Sequence, residues 1–256
     1  MKPNESRRSD YGGQFRTTHW SVVLLSAQSQ VSGSGKALAD LCQLYWYPLY
    51  AFVRRRGYSA EDAQDLTQGF FLSLLKRKSL RKVGPEKGRF RSFLLASLKN
   101  YLFDEFDREN SVKRGAEIEF VTLDFENGEE RYRQDAGDSL TAEKVFDARW
   151  AMTLLQHAMA RLGKEYAEQG KTAIMDALRP FLDPINCKRL PSYDEVADKL
   201  QVNPGGVKTL IHRMRKRYNV LLREEVARTV TDPQAVDDEI RALCEALIAS
   251  QDHMGP

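Results

Sequence analysis

Lys208, His212, Arg213, Arg215, Lys216 and Arg217 crowd into one short run near the C-terminal third of the chain. Cationic side chains at this density neutralise phosphate oxygens, and arginine or histidine held against base edges can donate hydrogen bonds to them. The residues between them set the geometry. Val207, Leu210, Ile211 and Met214 recur at three- and four-residue steps, which predicts a helix with one apolar face and a cationic remainder. Asn203 caps that helix and Pro204 takes its first position, where a missing amide hydrogen costs nothing. Just upstream, Ser192 and Glu195 spell a capping box, Val196 and Leu200 share a face, and Gln201 and Val202 make a turn. Ser192 to Tyr218 therefore reads as a helix-turn-helix. Gly205 and Gly206 weaken it by about 1 kcal/mol each against alanine, less in a first turn. A solvated surface is the plainer account of a lone basic helix; the capped partner helix favours DNA.

A second chemistry lies in Glu61, Asp62 and Asp65, carboxylates close enough to suggest a metal site or an acid/base pair. They also follow Ser59, a natural cap, and carboxylates at the start of a helix have an ordinary electrostatic role. A third lies in RFRSFLLASLKNYLFDEFDREN, where basic and aromatic residues interleave. Aromatics stack on unpaired bases while Arg89, Arg91 and Lys99 hold the backbone; alternatively Phe93, Leu94, Leu98, Tyr101, Leu102 and Phe106 pack as core.

The chain that must position these groups has 256 residues, 42% hydrophobic, with a formal net charge of +3. That suffices for one or two small cores and leaves partner choice to local charge. No apolar run reaches the roughly 18 residues of a membrane span, and the polar start has no signal-peptide core, so a cytoplasmic protein with no membrane partner is expected. Cys42, Cys187 and Cys244 are distant from one another and lack histidines at ligand spacing, which predicts neither disulfide nor zinc site.

Along the chain, residues 1–16 read as a mobile tail and TTHWSVVLLSA opens the fold. Leu38, Leu41, Tyr45, Leu49 and Phe52 mark a long helix stopped at Gly57, with Pro48 predicting a kink or break. Ala63, Leu66, Phe70 and Leu74 form the stripe of the next helix. Glu117 to Asp138 is mostly acidic and reads as a linker, a solvated tether between two domains. Phe146, Trp150, Leu154, Leu155, Ala158 and Leu162 begin a second domain, with a further helix from about Gly163 to Leu182. After Val230, Asp232 and Pro233 start a helix whose Val236, Ile240, Leu243 and Leu247 share a face. It is either a permanent packing element or a movable lid.

These segments together resemble the extracytoplasmic-function type of sigma factor, a promoter-specificity subunit of bacterial RNA polymerase. AEDAQDLTQGFF is similar to the family's second conserved region, FRSFLLASLKNYLFDEFDR to its promoter-melting helix, and SYDEVADKLQVNPGGVKTLIHRMRKRY to its fourth region. TTHWSVVL and LCQLYWYPLYAFVRRRGY resemble a planctomycete-like branch of these factors. Phe93 stands where many members have tryptophan, and DEFDREN replaces an arginine run. The resemblance implies that Asp62, Asp65, Gln68 and Leu72 bind core polymerase and that Lys87, Arg89, Arg91, Lys99 and Asn100 lie along the minus-10 element. It implies that Leu80 to Gly88 captures an extruded base, and that Lys208, Thr209, His212, Arg213 and Lys216 contact the minus-35 element.

The expected architecture is all-α: residues 17–110 as a region 2 domain, 111–140 as an acidic linker, 141–230 as a region 4 helix-turn-helix domain and 231–256 as a helical extension. The expected partners are bacterial core RNA polymerase, promoter DNA and an anti-sigma or other regulatory protein, with no cofactor, no metal and no catalytic residue. Two other readings remain open: a free-standing helix-turn-helix regulator, and a helical nucleic-acid enzyme holding a metal on Glu61, Asp62 and Asp65.

Overall fold

The computed structural model describes residues 19, 34–76, 88–111, 128–135, 140–182 and 189–251. The tail, Lys87, nearly all of the Leu80 to Gly88 loop and most of the acidic stretch lie outside the described residues. Every regular element among the described residues is helical. In chain order they are α1 (Ser34–Arg55), α2 (Ala60–Lys76), α3 (Phe90–Ser111), α4 (Gly128–Asp135), α5 (Ala142–Glu168), α6 (Thr172–Leu178), α7 (Tyr193–Leu200), α8 (Pro204–Ala227) and α9 (Val236–Gln251), with short 3₁₀ turns at Arg179–Phe181 and Pro233–Ala235.

The apolar stripes fold as their spacing predicts. Leu41, Tyr45, Leu49 and Phe52 of α1 are buried, and so are Ala63, Phe70 and Leu74 of α2. Helix α1 runs through Pro48 without a break, so the expected interruption does not occur. Helix α5 also runs past Gly163 to Glu168, and the break comes instead at Gly170, whose φ of 68° is the left-handed conformation glycine tolerates. Phe106, expected to pack, is exposed, as is its neighbour Phe103.

Two large apolar clusters organise the described residues. The smaller joins Ala158 and Leu162 of α5, Met175 and Leu178 of α6, Val196 and Ala197 of α7 and Val207, Ile211 and Met214 of α8. The larger takes α1, α2 and α3 together with Phe146, Trp150 and Leu154 of α5, Val226 of α8, and Val236 and Leu243 of α9. Trp150 is fully buried at its centre, stacked on Tyr45 with ring centroids 4.0 Å apart and flanked by Phe146 and Phe90. The helix that opens the C-terminal half thus supplies part of the N-terminal core.

Helix α4 lies inside the acidic stretch, and it is docked on α1. Glu129 accepts hydrogen bonds from Arg54 Nε and Nη2, both at 2.8 Å, and from the Tyr50 hydroxyl at 2.7 Å. Arg131 sits over the Tyr47 ring, 3.9 Å from its centroid, and reaches Gln156 of α5 at 3.0 Å. Gly128 fits where a side chain would meet the Trp46 ring, an added Cβ lying 2.9 Å from the nearest ring carbon. This part of the acidic stretch is held by tertiary contacts and not solvated as a tether.

Candidate nucleic-acid interface

Helices α7 and α8 and the turn between them form by the local chemistry their sequence carries. The Glu195 amide donates to Ser192 Oγ at 3.1 Å, and the Ser192 amide donates to the Glu195 carboxylate at 2.8 Å. That carboxyl is held below its ordinary range by the Ser192 backbone N–H and by Arg189. Helix α7 ends at Gln201, whose φ of 54° is left-handed, and the Val202 amide closes the turn onto the Ala197 carbonyl at 3.0 Å. Asn203 Oδ1 then accepts from the Gly206 amide at 2.6 Å, with Pro204 in the first turn of α8.

The cations of α8 divide by role. Arg217 pairs with Glu165 of α5 at 2.7 Å, and Arg215 donates to the Phe181 carbonyl at 3.0 Å, so both serve the fold. Lys208 lies over the Tyr193 ring, 5.6 Å from its centroid, at the edge of the motif. Thr209, His212, Arg213 and Lys216 are exposed and fall at three- and four-residue steps, on the face opposite buried Val207, Ile211 and Met214. The Thr209 hydroxyl donates to Gly205 O at 3.1 Å within the helix. A helix that buries one face and offers this stripe on the other matches the width of a DNA major groove.

On α2, Asp62 and Asp65 are exposed, Gln68 is half-buried, and Leu72 is buried. Leu72 is therefore not part of the open surface that the other three share. Ser59 Oγ caps this helix through the Asp62 amide at 3.0 Å and donates to the Asp62 carboxylate at 2.7 Å. Among the described residues, no group of three His, Cys, Asp or Glu side chains is placed to hold a metal ion.

The described basic residues of α3, and Arg89 just before it, are ion-paired. Asn100 is exposed. Arg91 is buried, its Nε 2.7 Å from Glu239 of α9 and its Nη1 on Asp147 of α5. Arg89 Nε also meets Glu239, at 2.9 Å, and Lys99 Nζ meets Glu143 of α5 at 2.6 Å. Arg91, expected along the minus-10 element, is thus a buried ion-paired group in this structure. Glu239 had a sequence signal: it falls beside Ile240 on the Val236–Leu243 stripe, where a carboxylate must find a partner.

Residues 43–112 match the family model for sigma-70 region 2. The match spans α1 from Gln43 and all of α2 and α3, so this segment is similar to a sigma-70 region 2. No curated protein and no solved structure matches the chain. The sigma-70 match ends before α4, so it does not reach the helix-turn-helix. Among the described residues no helix is long and apolar enough to cross a membrane.

Proposed function

We propose that this chain is a sigma factor of the extracytoplasmic-function type, docking on core polymerase through α2, opening the minus-10 element along α3 and reading the minus-35 element with α8. One observation carries the DNA-reading part of this proposal: Thr209, His212, Arg213 and Lys216 share the open face of a capped second helix, while Arg215 and Arg217 are spent on the fold. Lys208 flanks that face. The free-standing regulator would use the same helix, but it gives no reason for a region 2 helix set beside it.

Two results test this reading. Asp65→Ala with Gln68→Ala should weaken binding to purified core polymerase while changing thermal stability by under about 0.5 kcal/mol, since surface polar positions tolerate truncation. Unchanged affinity for core polymerase would remove α2 as the docking face.

His212→Ala or Arg213→Ala should each cost about 1 to 3 kcal/mol on a minus-35 duplex and less on a scrambled one, as expected when a base edge is read. Lys216→Ala should weaken both duplexes alike and flatten the salt dependence. Equal losses on both duplexes for His212 and Arg213 would reassign them to phosphate.

A further inference from the structure

Lys208 stands apart from the other cations of α8. Arg215 and Arg217 give N–H groups to oxygen acceptors of the fold, whereas Lys208 is exposed and lies over an aromatic ring, its Nζ 5.6 Å from the centroid of Tyr193. A ring attracts an ammonium through its quadrupole and uses none of the three N–H donors. Lys208 is thereby restrained and still able to bind an anion. The ring is itself fixed. Tyr193 opens α7, directly after the Ser192 cap, and stacks on Phe181 with centroids 5.6 Å apart and planes 13° from parallel. Phe181 is buried, and its carbonyl accepts from Arg215, about two turns beyond Lys208 on α8. One edge of α8 is thus braced at two points through Phe181. Tyr193 is 43% exposed, so the platform under Lys208 opens at the protein surface.

We infer that Tyr193 is a positioning residue that holds Lys208 for a phosphate of duplex DNA, the pair forming a backbone clamp distinct from the base-reading residues Thr209, His212 and Arg213. The inference rests on the reading of α8 as the helix that enters the groove. In a helix-turn-helix the second helix enters the groove while the first crosses the backbone. A lysine tethered to the first residue of α7 therefore belongs to the backbone side of α8. A freely rotating lysine loses side-chain entropy when it binds, and the ring has already removed part of that freedom. Loss of the ring should then weaken the phosphate contact although Lys208 itself is intact.

The test uses the full-length chain, a fluorescein-labelled duplex selected by wild type from a random pool, and a scrambled duplex, each titrated at several salt concentrations. Lys208→Ala should weaken both duplexes alike and lower the salt slope by about one. Tyr193→Leu, which keeps a good helix former but no ring, should weaken both by about two- to fivefold, the worth of an exposed cation–π contact, and should also lower the slope. Tyr193→Phe keeps the ring and should retain wild-type affinity and slope. Tyr193→Leu combined with Lys208→Ala should bind no more weakly than Lys208→Ala alone, which separates a shared contact from general damage to α7. If Tyr193→Leu does not fold, Tyr193→Met takes its place. Wild-type binding by Tyr193→Leu, a loss in Tyr193→Phe, or additive losses in the double variant would overturn the clamp. The reading of α8 is scored separately by His212→Ala and Arg213→Ala. Losses there confined to the selected duplex, with no effect of Tyr193→Leu, remove the clamp and keep the reading. Equal losses there on both duplexes, with Tyr193 and Lys208 variants behaving as expected, keep the clamp and remove the reading. No salt-dependent binding by wild type removes both.

Discussion

Trp150→Ala is expected to remove about 3 to 5 kcal/mol of stability, the range for deleting a large buried aromatic, and to unfold both halves of the chain in one transition. The indole is fully buried between Tyr45 of α1, Phe90 of α3 and Phe146 of α5. A hole there strips contacts from all three helices at once. With total stabilities of order 5 to 15 kcal/mol, the loss is a large share of the whole. Denaturant melts followed by far-ultraviolet circular dichroism would measure it. A loss under about 1 kcal/mol, or two separate transitions, would show that α5 does not join the N-terminal core in solution.

Acid should weaken the fold in two steps. Burial pushes His19 down to about 4, and its Nδ1 lies 3.0 Å from the Tyr45 hydroxyl while its amide donates to the Arg228 carbonyl. The unfolded histidine, near 6.5, takes a proton first, so the stability of the neutral buried ring is fully present above 6.5 and is lost as pH falls towards 4. At 1.36 kcal/mol per pKa unit that is about 3 kcal/mol. Glu225 follows. Burial opposes its ionisation, but hydrogen bonds from His157 and Arg161 and the charge of Arg228 hold its carboxyl down to about 2. Glu129, held to about 2 chiefly by its Arg54 hydrogen bond, behaves alike. Both contribute stability above 4.5 that disappears as pH falls towards 2. Melts taken in each window should show the upper step vanish in His19→Gln and the lower step persist; a wild type equally stable at 6.5 and 4 would contradict the histidine assignment.

Local chemistry was legible in the sequence and long-range chemistry was not. The Ser192 capping box, the Asn203 cap with Pro204 and the Asp232 cap each depend on residues two or three positions apart, and all three form. Periodicity likewise named the stripes of α1, α2 and α9. Gly163 misled because glycine inside a well-packed helix costs only about 1 kcal/mol, which the buried face of α5 outweighs. Helix α4 was hidden for a different reason: its partner Arg54 is 75 positions from Glu129, and nothing in an acidic composition announces that pairing. The same distance problem concealed Arg91, whose basic and aromatic surroundings suit a nucleic acid as well as they suit Glu239.

The 148 positions between Arg91 and Glu239 also order events during synthesis. At about 5 to 20 residues per second, roughly 7 to 30 s separate the emergence of α3 from that of α9. Until α9 emerges, the nascent N-terminal half lacks Val236 and Leu243 to finish its core. Closure belongs to the completed chain, and a ribosome stalled before α9 holds a protein whose first half is still uncovered.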